Sequence, residues 1–332
     1  LMRMARVLTL RPAKGSGAMP YMQAQARRAA EALALEKAEA APLRAARDRE
    51  FTSGQAVVPA SPADAPSRPV PVLDGIPSAL ASLLTDNGDN DHVAVVPPAD
   101  TRGILRQEAT TEHESIDVVV CVHDALPDVH RCMISLLERS DRGFRLIVVD
   151  DGSGPETSTY LDRLCETNPA VTLVRNVEPP HGYTVAANIG LRTSTADYVV
   201  LLNSDTIVTR GWLGHLIAAG RTDDRVGVIG PLSNAASHQS VPRAKDGADW
   251  AVNQLPRWLT EDGLAQVIAR LPGPNTVSVP FLNGFCYCIR RRTIEAVGLF
   301  DEEVFAAGYS EENDYSRRAA AAGFDLVVAA RA

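Results

Sequence analysis

Short apolar runs alternate with helical patterns along the chain from residue 116 onward. The clearest run, Tyr198–Leu202, stops abruptly at Asn203, and an unbroken run of this length is typical of a strand buried on both faces of a sheet. The pattern predicts strands over 116–122, 144–149, 171–175, 198–202, 226–229, 277–281, 285–289 and 325–329. It predicts helices over 127–139, 156–166, 185–192, 211–219 and 310–322, with an amphipathic stretch at 258–271. Strands separated by helices of these lengths indicate right-handed crossovers and a mainly parallel α/β sheet flanked by helices.

The first third of the chain has a different composition and little strand periodicity. Residues 23–49 are rich in Ala, Glu, Arg and Leu, which favours an exposed or partner-bound helix. Residues 51–71 are rich in Pro, Ala and Ser and are typical of a linker. Two short elements complete this region, a helix over 76–84 and a polar turn over 86–91. We therefore expect residues 1–110 to form a partly disordered, Ala- and Pro-rich extension and linker, and residues 111–332 to form the folded domain.

Composition argues against several classes of protein. With 332 residues, 45% of them hydrophobic and 22% charged, the chain can bury a core, and a net charge of −8 argues against nucleic acid as the main partner. Five cysteines without a C-x-x-C pair indicate reduced, mostly buried thiols of a cytosolic protein. No run is long enough to span a bilayer, and the first residues are too interrupted by Arg for a signal peptide. The chain begins with Leu and its last residues resemble a shortened strand, so we expect a fragment, cut short at its C-terminal end.

Acidic and polar side chains follow three of the predicted strands. The first strand ends at His123-Asp124, the second at Asp150-Asp151-Gly152-Ser153 and the fourth at Asn203-Ser204-Asp205. Ligands of open α/β sheets bind beyond the carboxyl ends of the strands. Acids gathered at one edge repel one another, and a divalent cation with a bound nucleotide would compensate their charge. Each segment alone is equally typical of a turn or a helix cap, and their coincidence at one edge is what favours a ligand site.

Six segments resemble the family 2 inverting glycosyltransferases of GT-A fold, in the order that the family shows. They are S-I-D-V-V-V-C-V-H-D, L-I-V-V-D-D-G-S, H-G-Y-T-V-A-A-N-I-G, Y-V-V-L-L-N-S-D-T, N-G-F-C-Y-C-I-R-R and E-E-N-D-Y-S-R-R-A. The resemblance runs from Ile116 to the last residue and implies a Rossmann-like, mostly parallel sheet. The last segment and P-L-S-N-A-A-S-H-Q-S-V-P are similar to bacterial members that build cell-surface and cell-wall polysaccharides, some of them rhamnosyltransferases.

The resemblance implies roles for residues on the donor side of the site. It assigns contacts with the base and ribose of the nucleotide to Asp124 and Asp151, with Asp150 beside them. It places Asn188 and Arg192 near the donor's sugar and phosphates. Two residues correspond to the D-x-D motif: Asp205, the metal ligand for Mg²⁺ or Mn²⁺, and Asn203, which stands where many members carry the first Asp. Many members also carry a metal-ligating His after the last strand, and the chain stops before that position.

The same resemblance identifies Glu312 as the general base, with Glu311 as the first acid of the pair and Asp314 and Arg318 matching the rest of the helix. Inversion requires a base on the face of the sugar opposite the leaving diphosphate, so the base and the metal ligand must come from different elements. Simpler explanations exist for these residues. Acids in the first turn of a helix gain about 0.3–1 kcal/mol each from its dipole. Asp314 and Arg318, four residues apart, can form a surface pair worth about 0.3–0.5 kcal/mol.

The implied activity is transfer of a sugar from a nucleotide-sugar donor to a glycan or lipid-linked acceptor, in the cytoplasm or at the inner face of the membrane as a peripheral protein. The alternative is a catalytically silent GT-A domain that binds nucleotide or glycan within a larger assembly. The residues 231–280, where the alternation of strands and helices is lost, are expected to determine the sugar and the acceptor. A dehydrogenase would need G-x-G-x-x-G and a P-loop hydrolase G-x-x-x-x-G-K-[ST], and the chain has neither. It also lacks the Gly-rich, Arg-containing opening loop of sugar nucleotidyltransferases.

Overall fold

The computed structural model describes residues 114–176, 180–271, 273–306 and 308–332. The helices predicted over 23–49 and 76–84, the linker over 51–71 and the turn over 86–91 lie outside the described residues. The division of the chain near residue 110 therefore stays a prediction.

The described part alternates strands and helices from its first residues. The strands are β1 (Ile116–Val122), β2 (Arg145–Asp151), β3 (Val171–Asn176), β4 (Tyr198–Asn203), β5 (Val226–Pro231), β6 (Lys245–Asp246), β7 (Asp249–Trp250), β8 (Thr276–Ser278), β9 (Cys286–Arg290) and β10 (Asp325–Ala329). The helices are α1 (Leu126–Arg139), α2 (Pro155–Thr167), α3 (Tyr183–Thr193), α4 (Trp212–Gly220), α5 (Glu261–Arg270), α6 (Arg291–Val297) and α7 (Glu311–Ala321), with a 3₁₀ turn at Ser237–Gln239.

One eight-stranded sheet forms the centre of the domain, in the order β3-β2-β1-β4-β9-β5-β10-β8. Six of these strands run parallel, while β9 is antiparallel to both β4 and β5, and β8 is antiparallel to β10. Two apolar clusters cover the two faces of the sheet, so the central strands are buried on both sides. The predicted α/β class with a mostly parallel sheet is confirmed. No helix in the described residues is long and apolar enough to cross a membrane.

Helix α3 lies unusually close to the sheet because it carries a glycine at the contact. A Cβ atom added at Gly190 would lie 2.2 Å from Cγ1 of Val119 on β1. The helix is otherwise held by small or branched apolar residues, Ala186, Ala187 and Leu191, all buried against the same face. Glycine therefore sets the distance between α3 and β1, and with it the position of everything that α3 carries.

Two boundaries and one helix differ from the sequence prediction for local reasons. The strand predicted over 277–281 ends at Ser278, two residues before Pro280, which has no N–H to donate to a sheet. The helix expected within 258–271 begins only at Glu261, where the Thr260 side chain accepts a hydrogen bond from Gly263 N. Helix α6 was not predicted, since it follows β9 directly and begins with two arginines. Arg291 anchors it by donating to the backbone oxygens of Ala196 and Ser194, each at 3.0 Å.

Candidate active site

The register of the sheet brings the three polar strand ends to one edge. Val122 at the end of β1 lies opposite Asp150 of β2, and Cys121 lies opposite Asn203 of β4. The segments that follow these strands, which carry the acids Asp124, Asp151 and Asp205, therefore begin side by side. The clustering expected from the sequence is present in the fold.

Asp151 organises the loop that leads into α3. Its Oδ1 accepts hydrogen bonds from Asn176 Nδ2 (2.8 Å) and His181 N (3.0 Å), and its Oδ2 accepts one from Gly182 N (2.9 Å). Burial alone would raise the pKa of this carboxyl, but the three donors outweigh it and hold the pKa below the ordinary Asp value. Asp151 is therefore a fixed anion that holds the loop of His181 and Gly182 beside this edge of the sheet.

The other two acids of this region differ in exposure. Asp150 is buried; its Oδ1 accepts from Ser153 N at 2.9 Å, and its Oδ2 lies 3.6 Å from Arg175 Nη1. Asp124 is exposed in a left-handed backbone conformation with φ of 55°, and its Oδ1 accepts from Gly154 N at 2.7 Å. Asp124 thus presents a carboxylate to a ligand at the edge, whereas Asp150 supports the turn after β2.

Asn203 and Asp205 lie where β4 ends. Asn203 donates its N–H to Phe285 O at 2.9 Å and accepts from Thr206 N at 3.1 Å, which fixes the turn that carries Asp205. Burial raises the pKa of Asp205, Asp128 on α1 adds to the rise, and Arg131 and the residue's own N–H oppose it. No other described residue donates a hydrogen bond to this carboxylate, so a cation bound there would compensate its burial.

The chain offers only part of a complete metal site at this position. Among the residues that the structure describes, no group of three or more His, Cys, Asp or Glu could hold an ion by itself. The donor set at the end of β4 is one carboxylate and one amide oxygen, both of the hard-oxygen type that Mg²⁺ and Mn²⁺ prefer. It fits a cation that takes its remaining ligands from a diphosphate and water.

Glu311 and Glu312 form a coupled pair at the start of α7. Burial raises the pKa of Glu311 to about 7, and the charge of Glu312 adds to this rise. The residue Glu311 is only 5% exposed. Burial also raises the pKa of Glu312, but its own N–H, the N–H groups of Ser310 and Asn313 and a hydrogen bond from Glu311 favour its ionised form. Burial therefore makes both carboxyls harder to ionise than an ordinary Glu, and Glu312 has more donors that favour its charged form.

The surroundings of the pair are built from backbone and aromatic groups. The Glu312 side chain lies against Gly284 in the turn before β9. A Cβ atom added at Gly284 would be 3.6 Å from that side chain. Gly308, Tyr309 and Ser310 all have positive φ, of 92°, 68° and 85°. Such strain in consecutive non-glycine residues is characteristic of functional sites. The strained turn leads directly into α7, where Glu311 is buried and Glu312 is partly exposed.

Tyr183, the first residue of α3, connects the pair with the strand edge. Burial raises the pKa of its phenol, and the charges that add to this rise belong to Cys121 at the end of β1 and to Glu311 and Glu312. The charges of the carboxyl pair and of the end of β1 therefore act on the same partly buried side chain. No sequence signal singled out Tyr183, because its role arises only from the packing of α3 between the two.

Asn188 and Arg192 lie on α3, turned toward the segment before α7. Asn188 is fully buried, with Oδ1 accepting from Phe300 N (3.0 Å) and Nδ2 donating to Phe300 O (2.9 Å) and Glu302 Oε2 (2.8 Å). Arg192, 51% exposed, donates to Glu302 Oε1 at 3.2 Å. The structure thus places Asn188 inside the protein, with its amide bonded within the fold. Glu302 was missed in the sequence, where it stands in an ordinary acidic run.

Two kinds of chemistry are therefore brought to one region. One is the partly exposed carboxyl of Glu312, whose pKa is raised by burial while backbone donors favour its charged form. The other is an oxygen-rich strand edge with Asp205 that suits a cation and an anionic ligand. A carboxylate can accept the proton of a hydroxyl, and a cation beside a diphosphate can stabilise its departure. This combination is suited to group transfer from a diphosphate to a hydroxyl.

Part of the chain is similar to known glycosyltransferases. Residues 117–252 match the family model described as Glycosyl transferase family 2. Over 150 residues the chain is 31% identical to the Pre-mycofactocin glycosyltransferase of Mycobacterium tuberculosis (strain ATCC 25618 / H37Rv). This alignment covers 44% of the present chain and 27% of the relative. Over 146 residues the chain is 28% identical to the succinoglycan biosynthesis protein ExoM of Rhizobium meliloti (strain 1021). That alignment covers 43% of the present chain and 46% of ExoM. The chain thus spans less than half the length of either relative.

A solved structure shows the same fold. The crystal structure of GalNAc-T7 with UDP, GalNAc and Mn²⁺ superimposes with a TM-score of 0.51 at 18% sequence identity, over 66% of this chain and 43% of that one. At this identity the likeness concerns the fold alone.

Proposed function

Residues 117–252 belong to the family 2 glycosyltransferases, in a domain of GT-A fold, and on that premise we propose that the chain transfers a sugar with inversion from a nucleoside diphosphate to a hydroxyl of a glycan or lipid-linked acceptor. The observation that carries the proposal is the placement of two adjacent acids at the start of α7, Glu311 buried and Glu312 partly exposed. That pair stands near the strand edge that bears Asp205, with Tyr183 between α7 and the end of β1.

Glu312 is the general base in this proposal. It is partly exposed and three backbone N–H groups favour its charged form, so it can accept the proton of the acceptor hydroxyl as the new glycosidic bond forms. Glu311 keeps its proton near neutral pH because its carboxyl is buried beside that charge. A protonated Glu311 donates to Glu312 and fixes its orientation, which is the service that an orienting group gives to a base.

Asp205 and Asn203 serve the leaving group. They are the residues that would hold Mg²⁺ or Mn²⁺, and such an ion neutralises the charge that grows on the departing diphosphate. The chain's own part is to hold the Asp205 carboxylate at the end of a buried strand, without a competing donor among the described residues. The raised pKa of Asp205 means that the protein alone does little to stabilise the charged carboxylate. A bound cation would stabilise it.

The nucleotide is assigned to the edge between β1 and β2. The exposed carboxylate of Asp124 is suited to accept hydrogen bonds from the base or ribose, while Asp151 fixes the loop of His181 and Gly182 that borders the nucleotide. The glycan acceptor is proposed from the relatives, one of which is a succinoglycan biosynthesis protein. All five cysteines are free thiols, which supports the proposed cytoplasmic location.

The metal assignment is tested by calorimetric titration of UDP, GDP and dTDP with Mn²⁺ and with EDTA. We expect one of them to bind in Mn²⁺ and to lose affinity in EDTA. Loss of an outer-sphere partner costs a metal roughly 10- to 100-fold in affinity, so Asp205→Asn should cost at least that and remove the dependence on Mn²⁺. Asp224→Asn is the control, since that carboxylate is 98% exposed before β5. Equal binding in Mn²⁺ and EDTA by the unmutated protein would refute the assignment.

A further inference from the structure

One face of α3 is bonded to the segment that leads into α7. Thr184, Asn188 and Arg192 stand four residues apart, so they share one side of the helix. Thr184 Oγ1 donates to Phe305 O at 2.5 Å, Asn188 exchanges two hydrogen bonds with the backbone of Phe300, and Arg192 pairs with Glu302. Three successive turns of the helix thus hold residues 300–305. We name this set of contacts the α3 clamp.

Two of the three helix residues in the clamp, Thr184 and Asn188, are closed to a ligand. Asn188 and Thr184 are each 0% exposed. Both N–H groups of the Asn188 amide are used, on Phe300 O and Glu302 Oε2, and its oxygen accepts from Phe300 N. A buried amide whose oxygen and nitrogen are both hydrogen-bonded within the fold has a structural role. Its removal would leave the N–H and C=O of Phe300 without these partners.

The segment held by the clamp ends at the carboxyl pair. Gly308 N donates to Phe305 O at 2.8 Å, and a Cβ atom at Gly308 would lie 3.4 Å from Tyr183 and 3.9 Å from Glu311 Oε2. The turn before α7 is therefore packed directly on the first residue of α3. At this same end of α3, the N–H groups of His181 and Gly182 are bonded to Asp151. Helix α3 is thus bonded both to the nucleotide edge and to the segment that carries the base.

We propose that Thr184, Asn188 and Glu302 are positioning residues, and that the α3 clamp sets the place of the Glu311–Glu312 pair relative to the strand edge. The inference rests on the proposed function, in which Glu312 is the base. It assigns Asn188 to the support of the acceptor side, where the sequence had suggested contact with the donor. A displacement of about 1 Å at a reacting group can cost roughly 100-fold in rate, so a helix that fixes this distance matters for turnover.

The test compares two identical substitutions on the same helix. Thr184→Val removes the bond to Phe305 and keeps the shape of the side chain. Thr193→Val removes a bond made within α3, to Ile189 O at 2.8 Å, and serves as the control. Glu302→Gln, at a half-exposed site, is the second clamp variant and removes the charge that Arg192 faces. Each is measured for Kd of the nucleoside diphosphate in Mn²⁺, for kcat and for the titration of the glutamate carboxyls by ¹³C NMR.

We expect Thr184→Val to lower kcat by roughly 10-fold with the diphosphate Kd unchanged, a part of the roughly 100-fold that a full displacement costs. The titration should move as well. The titratable side chains that interact with the charge of the pair are Tyr183 of α3 and Tyr287 of β9, both neutral because burial raises their pKa. A loosened turn admits water to Glu311, so its pKa should fall from about 7 toward the ordinary value. Glu302→Gln should change in the same direction, and Thr193→Val in neither measurement.

Two results would overturn the inference. Weaker diphosphate binding by Thr184→Val, with the carboxyl titration unchanged, would make α3 a donor-binding element. An unchanged kcat and titration in both clamp variants would reduce the contacts to ordinary packing. If the unmutated chain transfers no sugar, the proposed function fails, while the carboxyl titration of the variants still decides whether the clamp places the pair.

Discussion

At the scale of single residues, the site depends on two adjacent carboxyls that differ in burial. Glu311 and Glu312 are neighbours in sequence, but Glu311 is buried without a partner for its Oε2, whereas Glu312 has backbone donors. Burial therefore penalises the charge of Glu311 more strongly. The raised pKa follows from position on the helix and not from residue type, since both are glutamates.

This difference predicts a dependence of stability on pH. The pKa of Glu311 is about 7 in the folded state and ordinary when unfolded, so the folded protein binds the proton more tightly. The contribution of Glu311 to the free energy of unfolding is therefore fully present below its ordinary pKa and is lost as pH rises through about 7. Glu311→Gln, which stays neutral, should gain stability relative to the unmutated protein between pH 5 and pH 8.

Urea unfolding of both proteins at these two pH values measures that difference. Glu303→Gln is the control, since Glu303 is exposed and its variant should follow the unmutated protein. An equal response of the Glu311→Gln variant and the unmutated protein to pH would mean that Glu311 is not buried in its neutral form.

Several of these residues could be found from the sequence and others could not. Asp124, Asp151 and Asp205 lie at or just after strand ends. A short apolar run that ends in polar residues can be recognised in the sequence without knowledge of the fold. Glu302 and Tyr183 carry no such signal, because their importance depends on which helix packs against them. The burial of Asn188 was likewise not visible in the motif. An asparagine at that position can form hydrogen bonds within the fold or contact a ligand, and the sequence does not distinguish the two.

At the scale of elements, the position of α3 is the feature on which the site most depends. The helix reaches the sheet through Gly190, where a methyl group would collide with Val119. Because the clamp residues lie on the same helix, a shift of α3 moves the segment before α7. The close approach of the helix to β1 and the geometry of the carboxyl pair are therefore linked.

Gly190→Ala should destabilise the protein by about 1–3 kcal/mol, the usual cost of forcing an extra methyl group into a packed core. The better helix propensity of Ala offsets up to about 1 kcal/mol of the collision, so the net effect lies at the lower end. Gly143→Ala is the matched control. It meets no atom within 4 Å and should be neutral or stabilising. Thermal and urea unfolding measure both, and a neutral Gly190→Ala would show that α3 is free to move away from β1.

The order of the elements in the sheet could not be predicted as fully as their existence. The ends of β1 and β10 agree with the sequence pattern because apolar runs bounded by polar residues define them. The insertion of β9 between β4 and β5, antiparallel to both, depends on contacts distant in sequence. Helix α6 was missed for a similar reason: its anchors are Ser194, Ala196 and Gly227, none of which is near it in the chain.

At the scale of the whole molecule, the described residues form the sheet, both of its apolar faces and the candidate site. We predict that residues 1–110 are not required for this fold. A variant that begins at Thr111 should unfold within a few degrees of the full chain, because the described residues from Ile116 onward already supply two apolar clusters that cover both faces of the sheet. Differential scanning calorimetry of both proteins tests this. A fall of many degrees, or loss of solubility, would show that the N-terminal residues pack on the domain.

The identity of the base is the central claim, and turnover of two single variants tests it most directly. General base catalysis contributes roughly 10²–10⁴-fold, so Glu312→Gln should lower kcat by about that factor with the diphosphate Kd nearly unchanged. Glu311→Gln should retain most of the activity, because its amide can donate to Glu312 as the protonated carboxyl does. Both are measured with saturating nucleotide sugar and acceptor, together with the unmutated protein. Near-normal turnover by Glu312→Gln alongside an inactive Glu311→Gln would contradict the account and move the base by one residue.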